Sequence, residues 1–237
     1  DVGRKSDPVT RDPNFRIKAD TLIMDSTYGN KTHSSKSPKD ELGAIIRKTY
    51  ERGGTLIIPS FAVGRAQLVL YYIHQLKNEG LIPHIHGYLN SPMAQKANEI
   101  YCRHFSESKM TASETREFCE IATPISSVEE SMALNERKNP VIIIAASGMA
   151  TGGRVLHHLK AFAPNPKNTI LFVGFQAGGT RGEAILNGAN EVKIHGELWP
   201  IRAEVAEIDS MSAHADGNEL IDWVKNLQAV PHRIFVT

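Results

Sequence analysis

Asp209-Ser210-Met211-Ser212-Ala213-His214-Ala215-Asp216 joins a charged strand, Arg202 to Asp209, to a helical pattern in which Leu220, Ile221, Trp223, Val224 and Leu227 recur at helix spacing. Asp216 stands where an N-cap is wanted, since its side chain can accept from a free amide of the first turn. The small residues between strand and helix predict a tight loop, and His214 lies in it. An imidazole so placed is held rigidly and can still face a cleft. Alone, such a histidine reads as a capping or core-edge residue. The weight shifts because Met24-Asp25-Ser26-Thr27-Tyr28-Gly29 has the same strand-then-turn grammar. A carboxylate ending one strand can orient an imidazole from another, as acid–base catalysis requires. His214 and Asp25 are the candidate catalytic pair.

A chain of 237 residues is long enough for one large domain or two modest ones. Its 41% hydrophobic and 22% charged residues are those of an ordinary globular protein. No apolar run approaches the length of a membrane span, and no secretory signal precedes the first predicted element. A net charge of +1 makes no global demand for nucleic acid, so any polyanion must meet a local patch. Cys102 and Cys119 form neither a CxxC nor a disulfide framework, which fits a reducing, cytoplasmic setting. The chain opens on Asp1-Val2-Gly3-Arg4 and closes on the apolar, β-rich Arg233-Ile234-Phe235-Val236-Thr237, which looks like a buried strand. Both ends suggest a fragment of a longer protein.

Between them, Thr55-Leu56-Ile57-Ile58-Pro59 and Val141 to Ala145 are fully apolar strands of the kind buried in a parallel sheet. Further strands are predicted at Ala19 to Asp25, Ile82 to Tyr88 and Thr169 to Val173, with helices over Asp40 to Arg52, up to about Lys77, from Ser91, and over Ser126 to Arg137. Strands alternating with helices from 55 to 173 indicate a layered α/β unit. From Glu191 the pattern turns antiparallel, with His195-Gly196-Glu197 as the turn.

Small-residue loops at 60–67, 147–154 and 174–182 follow predicted buried strands, at the sheet edge where helix N-termini and free amides gather. Each holds or adjoins an arginine: Arg65, Arg154 and Arg181. Arginine beside exposed amides makes a phosphate clamp. None of the loops is a Walker A or a GxGxxG, so no nucleotide cofactor is expected. The candidate substrate contacts are Ser60, Phe61, Arg65, Ser147, Gly148, Met149, Arg154 and Arg181. The remaining histidines, among them His84 with His86 and His157 with His158, offer no cluster of three ligands, so a closed catalytic zinc site is not expected from this chain alone.

Taken together, Asp1-Val2-Gly3-Arg4, Asp25-Ser26-Thr27-Tyr28-Gly29, Pro59 to Gln67, Ser147-Gly148-Met149 and Ser212-Ala213-His214-Ala215-Asp216 resemble the β-CASP family of metallo-β-lactamase-fold nucleases, which includes RNase J and the nuclease subunit of the pre-mRNA cleavage and polyadenylation factor. The resemblance implies an α/β fold: a β-CASP cap with a layered, mostly parallel sheet at 31–182, inserted into a partial metallo-β-lactamase αββα core formed by 1–30 and 183–237. It implies that Asp1 bridges two zinc ions, that His214 is the general acid, and that Asp25 holds its orientation. It implies a zinc-dependent phosphodiesterase acting on single-stranded RNA, endo- or exonucleolytically, with no membrane partner and a homodimer as one oligomeric option.

The family's HxHxDH motif, its next metal histidine and its last motif histidine are not in this sequence. Zinc is therefore expected to bind this chain by itself poorly or not at all, and the chain alone to be inactive. Two alternatives stand beside the nuclease: a catalytically silent RNA-binding or scaffold paralogue, and a small-molecule metallohydrolase of the same core.

Overall fold

The structure, a computed structural model, describes residues 1–237. In chain order the elements are β1 (Thr21–Met24), α1 (Pro38–Glu51), β2 (Leu56–Pro59), α2 (Arg65–Asn78), β3 (His86–Asn90), α3 (Pro92–Arg103), α4 (Ala112–Cys119) and β4 (Thr123–Pro124). They continue with α5 (Val128–Asn135), β5 (Val141–Ala145), α6 (Val155–Phe162), β6 (Thr169–Phe172), α7 (Arg181–Leu186), β7 (Glu191–Ile194), β8 (Glu197–Pro200), β9 (Glu204–Glu207), α8 (Gly217–Lys225) and β10 (Arg233–Val236).

Every residue of β2 and β5 is buried, so neither face of these strands can be polar. They pair in parallel, Ile57 opposite Ile143 and Pro59 opposite Ala145, at the centre of a six-stranded sheet ordered β4-β3-β5-β2-β6-β9. Period-two alternation divides the core. Leu56, Ile58, Ile142 and Ile144 pack with Leu42, Ile46, Val69 and Phe118 on one face. Ile57, Ile143 and Ala145 pack with Leu134, Val155, Leu159 and Ile185 on the other. All the strand pairs of this sheet are parallel, so the loops after β2, β5, β6 and β9 leave from one edge.

Several expectations shift. The strand expected at 82–88 is His86–Asn90, because Ile82 and Ile85 are buried without joining the ladder. Only β7 and β8 are antiparallel, joined by His195 and Gly196 at φ 50° and 89°. The charged strand β9 runs parallel to β6, with Glu204 opposite Thr169, which carries the layered sheet past the expected boundary at 182 to Glu207. Its charge is answered across the sheet edge, where Glu204 takes Lys48 Nζ at 2.7 Å and also Arg52 from the end of α1.

The closing strand β10 pairs in parallel with β1 but is not buried; Phe235 and Val236 stay exposed. A small core of Val2, Met24, Ala215, Leu220 and Trp223 joins β1 to α8. Cys102 and Cys119, expected to be free, form a disulfide between the ends of α3 and α4, with Cα atoms 6.2 Å apart. A separation of 17 residues carries no motif, and the packing of α4 on α3 creates the pairing. The cysteines therefore give no support to a reducing compartment. No helix is long and apolar enough to cross a membrane.

His158 on α6 is fully buried and tied by Nε2 to Asn90 and by Nδ1 to Asn135, at 2.7 and 2.6 Å. Burial, helped by His157 and Arg154, pushes its pKa down to about 4, against about 6.5 in an unfolded chain. The unfolded state then takes up a proton that the folded state refuses. Stability is full above pH ~6.5, falls as pH drops, and levels off below the folded value, a loss of about 3 kcal/mol. Urea unfolding of the wild-type chain and of His158→Gln between pH 4 and 8 checks this. The wild-type midpoint is expected to fall with acid more steeply than that of the non-titrating variant.

Candidate active site

β1 ends at Met24, which leaves Asp25 at its carboxyl end with 9% of its surface exposed. A carboxylate that buried needs donors on both oxygens. Oδ2 accepts from the Val2 backbone N–H at 2.9 Å, and Oδ1 accepts from Nδ1 of His214 at 3.1 Å. Burial raises the Asp25 pKa, but the Val2 amide and the His214 ring outweigh it and hold the carboxyl below its ordinary range. With Nδ1 committed, Nε2 of His214 has no protein partner.

The loop that carries His214 is fixed from several sides. The Ser212 hydroxyl oxygen accepts from the His214 N–H at 3.1 Å, and Ala215 N–H donates to Val2 O at 2.9 Å. Asp216 caps α8 in a reciprocal box with Glu219 and also accepts the His33 N–H at 2.9 Å. Arg4 reaches over the same turn, with Nε on Glu219 at 3.2 Å and Nη1 on Ser210 O at 2.9 Å. The N-terminal segment and the 209–216 loop are thus laced together by backbone and charge.

His214 opens onto a cavity of about 250 Å³ walled by Tyr28, Phe61, Met149 and Phe175 and reached by Arg65. Phe61 and Phe175 are 42% and 45% exposed, which puts two aromatic faces at its mouth. Gly148 is needed for this packing, since a Cβ there would lie 2.8 Å from the Phe61 ring. Gly174 has φ +125° and passes Arg65 so closely that a Cβ would stand 3.2 Å from its Nη2. Arg65, the first residue of α2, is buried, with Nε and Nη1 unpartnered. Burial pushes its pKa down to about 10, which leaves it charged at neutral pH. A larger apolar groove of about 910 Å³ lies beyond Asp25, between β10 and α8, lined by Leu220, Val224, Ile234 and Val236. It contains neither His214 nor Arg65.

The structure brings Phe61, Arg65 and Met149 together with His214, with Gly148 beneath Phe61. The other expected substrate contacts lie elsewhere. Ser60 is buried, its hydroxyl on Phe61 O at 3.3 Å. The Ser147 hydroxyl serves its own loop through Thr151 N–H at 3.1 Å. Arg154 is taken by Asn90 Oδ1, Ile125 O and Ser126 O, each at 2.8 Å. Arg181 is taken by Lys193 O at 2.7 Å and by Ala150 O. These two arginines fasten loops instead of lining a phosphate rim, because their guanidinium groups are spent on carbonyl oxygens of neighbouring loops. Sequence reasoning missed Tyr28 and Phe175 as cavity walls, and also Gln176. The Gln176 amide nitrogen donates to Gly148 O and Gly174 O, both at 3.1 Å, and so ties two of the loops together. Only the position of Gln176 in a glycine-rich loop hinted at this.

Ligand atoms of Asp1, Asp25 and His214 lie within 4.8 Å of one another. Asp25 and His214 already satisfy each other, which leaves the exposed Asp1 carboxylate as the open donor. The Asp1 carboxylate fits part of a metal site, as a hard oxygen ligand of the kind zinc accepts. A second cluster, His33 with Asp216 and Glu219, is used for helix capping and for Arg4.

Asp25→Asn is expected to lower stability by about 1–3 kcal/mol at neutral pH, through loss of a charge-assisted hydrogen bond. A carboxyl whose folded pKa is depressed stabilises fully above its unfolded value near 4, and the gain is lost as pH falls through the folded value. The difference between wild type and variant in urea midpoints should therefore shrink as pH falls below ~4. A difference independent of pH would deny the carboxylate its charge.

Residues 66–185 match the model of the Beta-Casp domain, and residues 199–237 that of the Zn-dependent metallo-hydrolase RNA specificity domain. A ribonuclease of Thermus thermophilus is 35% identical over all of this chain and 55% of its own length. A transcription termination factor of Methanosarcina mazei is 34% identical over 92% of this chain and 36% of its own length. An RNase J-like protein of Methanocaldococcus jannaschii is 34% identical over 88% of this chain and 49% of its own length. The chain thus spans between about a third and a half of the length of these relatives. The Beta-Casp match alone takes in half of the residues, and this chain belongs to the β-CASP family of metallo-β-lactamase-fold nucleases.

Proposed function

We propose that this chain forms the substrate-facing part of a zinc-dependent nuclease that hydrolyses single-stranded RNA, with His214 as the general acid. The observation that carries the reading is the 3.1 Å bond from His214 Nδ1 to Asp25, beside a cavity with a buried cation and two exposed aromatic rings. In hydrolysis the oxygen of water bonds to phosphorus, the bond from phosphorus to the leaving oxygen breaks, and that oxygen needs a proton. Nε2 of His214 supplies it. Asp25 fixes the ring through Nδ1 and stabilises the imidazolium before transfer. Phe61 and Phe175 offer faces on which bases stack with little regard to sequence.

Asp1 would hold zinc, which when bound activates the attacking water and offsets charge on the phosphate. The names of the matched specificity domain and of the Thermus thermophilus relative support RNA as the substrate. A silent RNA-binding paralogue would have no need of a buried Asp25 aimed at an imidazole.

In the full-length protein, His214→Ala is expected to slow cleavage of single-stranded RNA by roughly 10²–10⁴-fold, with zinc content by atomic absorption unchanged. Equal cleavage would remove His214 from the chemistry, and a wild-type protein that binds RNA without cutting it would establish the scaffold. Asp1→Asn is expected to lower zinc content and cleavage together. Full retention of zinc in that variant would take Asp1 out of the metal site.

A further inference from the structure

Arg65 presents an unusual electrostatic situation. It is one of the few charged side chains in the core, and its Nε and Nη1 have no partner. Buried cations are ordinarily paired, because an unpaired one has lost its water and gained nothing in return. The cavity it lines holds no carboxylate, and Asp7, which acts on Arg65 from a distance, is spent on the Val9 and Thr10 amides. Arg65 is also the first residue of α2, a 14-residue helix with no side-chain cap and no acidic residue in its first turn. The positive end of that helix therefore adds to the same field. Both features call for an anion from outside the chain.

Which anion follows from what shares the cavity. His214 lines it; Asp1 does not, and lies in a separate depression with Val2 and Gly3. A phosphate being hydrolysed must reach the Asp1 side of His214, while the oxygen that His214 protonates departs on the other side. The strand bearing that oxygen runs on past the imidazole into the cavity. We infer that Arg65, in the field of the α2 N-terminus whose first amides are taken by Val63 O and Phe61 O, forms a subsite for the next phosphate of the leaving strand, one nucleotide beyond the bond that is cut. The inference rests on the nuclease reading above. On this account Arg65 binds substrate and does not act on the reacting phosphate. Phe61 and Phe175, at the mouth, receive the bases on either side of the held phosphate.

The test uses the full-length protein and three substrates: a single-stranded RNA, the same RNA with an uncharged methylphosphonate at the flanking phosphate of the product that carries the new hydroxyl, and bis(p-nitrophenyl) phosphate, which has no flanking phosphate. Arg65→Gln is expected to lower kcat/KM on RNA by roughly 10- to 100-fold more than on bis(p-nitrophenyl) phosphate, and Arg65→Lys by less. The methylphosphonate should cost the wild-type protein a similar factor and cost Arg65→Gln almost nothing. An equal methylphosphonate effect in both proteins would overturn the subsite, as would an Arg65→Gln loss on bis(p-nitrophenyl) phosphate equal to that on RNA. The methylphosphonate arm needs no variant, so a wild-type rate that ignores it overturns the inference even if Arg65→Gln does not fold. If the wild-type protein cleaves neither RNA nor the aryl ester, the nuclease reading fails. The subsite is then judged by RNA affinity with each phosphate replaced in turn. One position must weaken binding to wild type and not to Arg65→Gln, or the subsite falls too.

Discussion

The Asp25 carboxylate is the constraint on which the site depends. Placed past the end of β1 with little water, it has to find donors for both oxygens, and it finds them in segments far apart in sequence. Val2 brings the N-terminal segment under the loop, and His214 brings the loop over the strand. Once Val2 is fixed, Ala215 N–H closes on its carbonyl and Gly3 pairs with His214. Asp216 then starts α8 and holds His33, whose Nε2 in turn reaches the His214 carbonyl at 3.0 Å. The imidazole ends with one nitrogen committed and the other free, the condition for directed proton transfer.

The parallel sheet supplies the other half of the cleft. Because β2, β5, β6 and β9 all point one way, their loops collect at one edge, and the small residues of those loops let walls approach closely. The charge there is not a rim of arginines. Arg154 and Arg181 hold loops in place through carbonyls, and Arg65 is left as a single buried cation between aromatic side chains. In the proposed nuclease such a surface would grip a nucleic acid strand at one phosphate and by stacking, which is sequence-tolerant.

Much of this was legible in the sequence, for identifiable reasons. Unbroken apolar runs such as Leu56 to Ile58 and Val141 to Ala145 have no stable place except a sheet covered on both faces. The Asp25 and His214 turns carry local signals, a strand end before small residues and a capping aspartate, so their pairing can be expected without the fold. What escaped depends on distant partners. Arg154 resembles a phosphate ligand until Asn90 and Ile125 arrive from other strands and loops. Strand β9 looks antiparallel because it follows a hairpin, and only the open edge of β6 and the basic end of α1 explain its parallel pairing. The bond between Cys102 and Cys119 depends on how α4 returns on α3, which spacing does not encode.

The central claim is that His214 protonates the leaving oxygen, and the most direct test is the dependence of its removal on the leaving group. In the full-length protein, wild type and His214→Ala would be compared on an RNA linkage, whose alkoxide leaves poorly, and on an aryl ester, whose phenoxide leaves without help. If His214 is the acid, the variant should lose roughly 10²–10⁴-fold on RNA and retain nearly all of its rate on the aryl ester. Equal losses on both substrates would contradict the account and make His214 a structural or metal-holding residue.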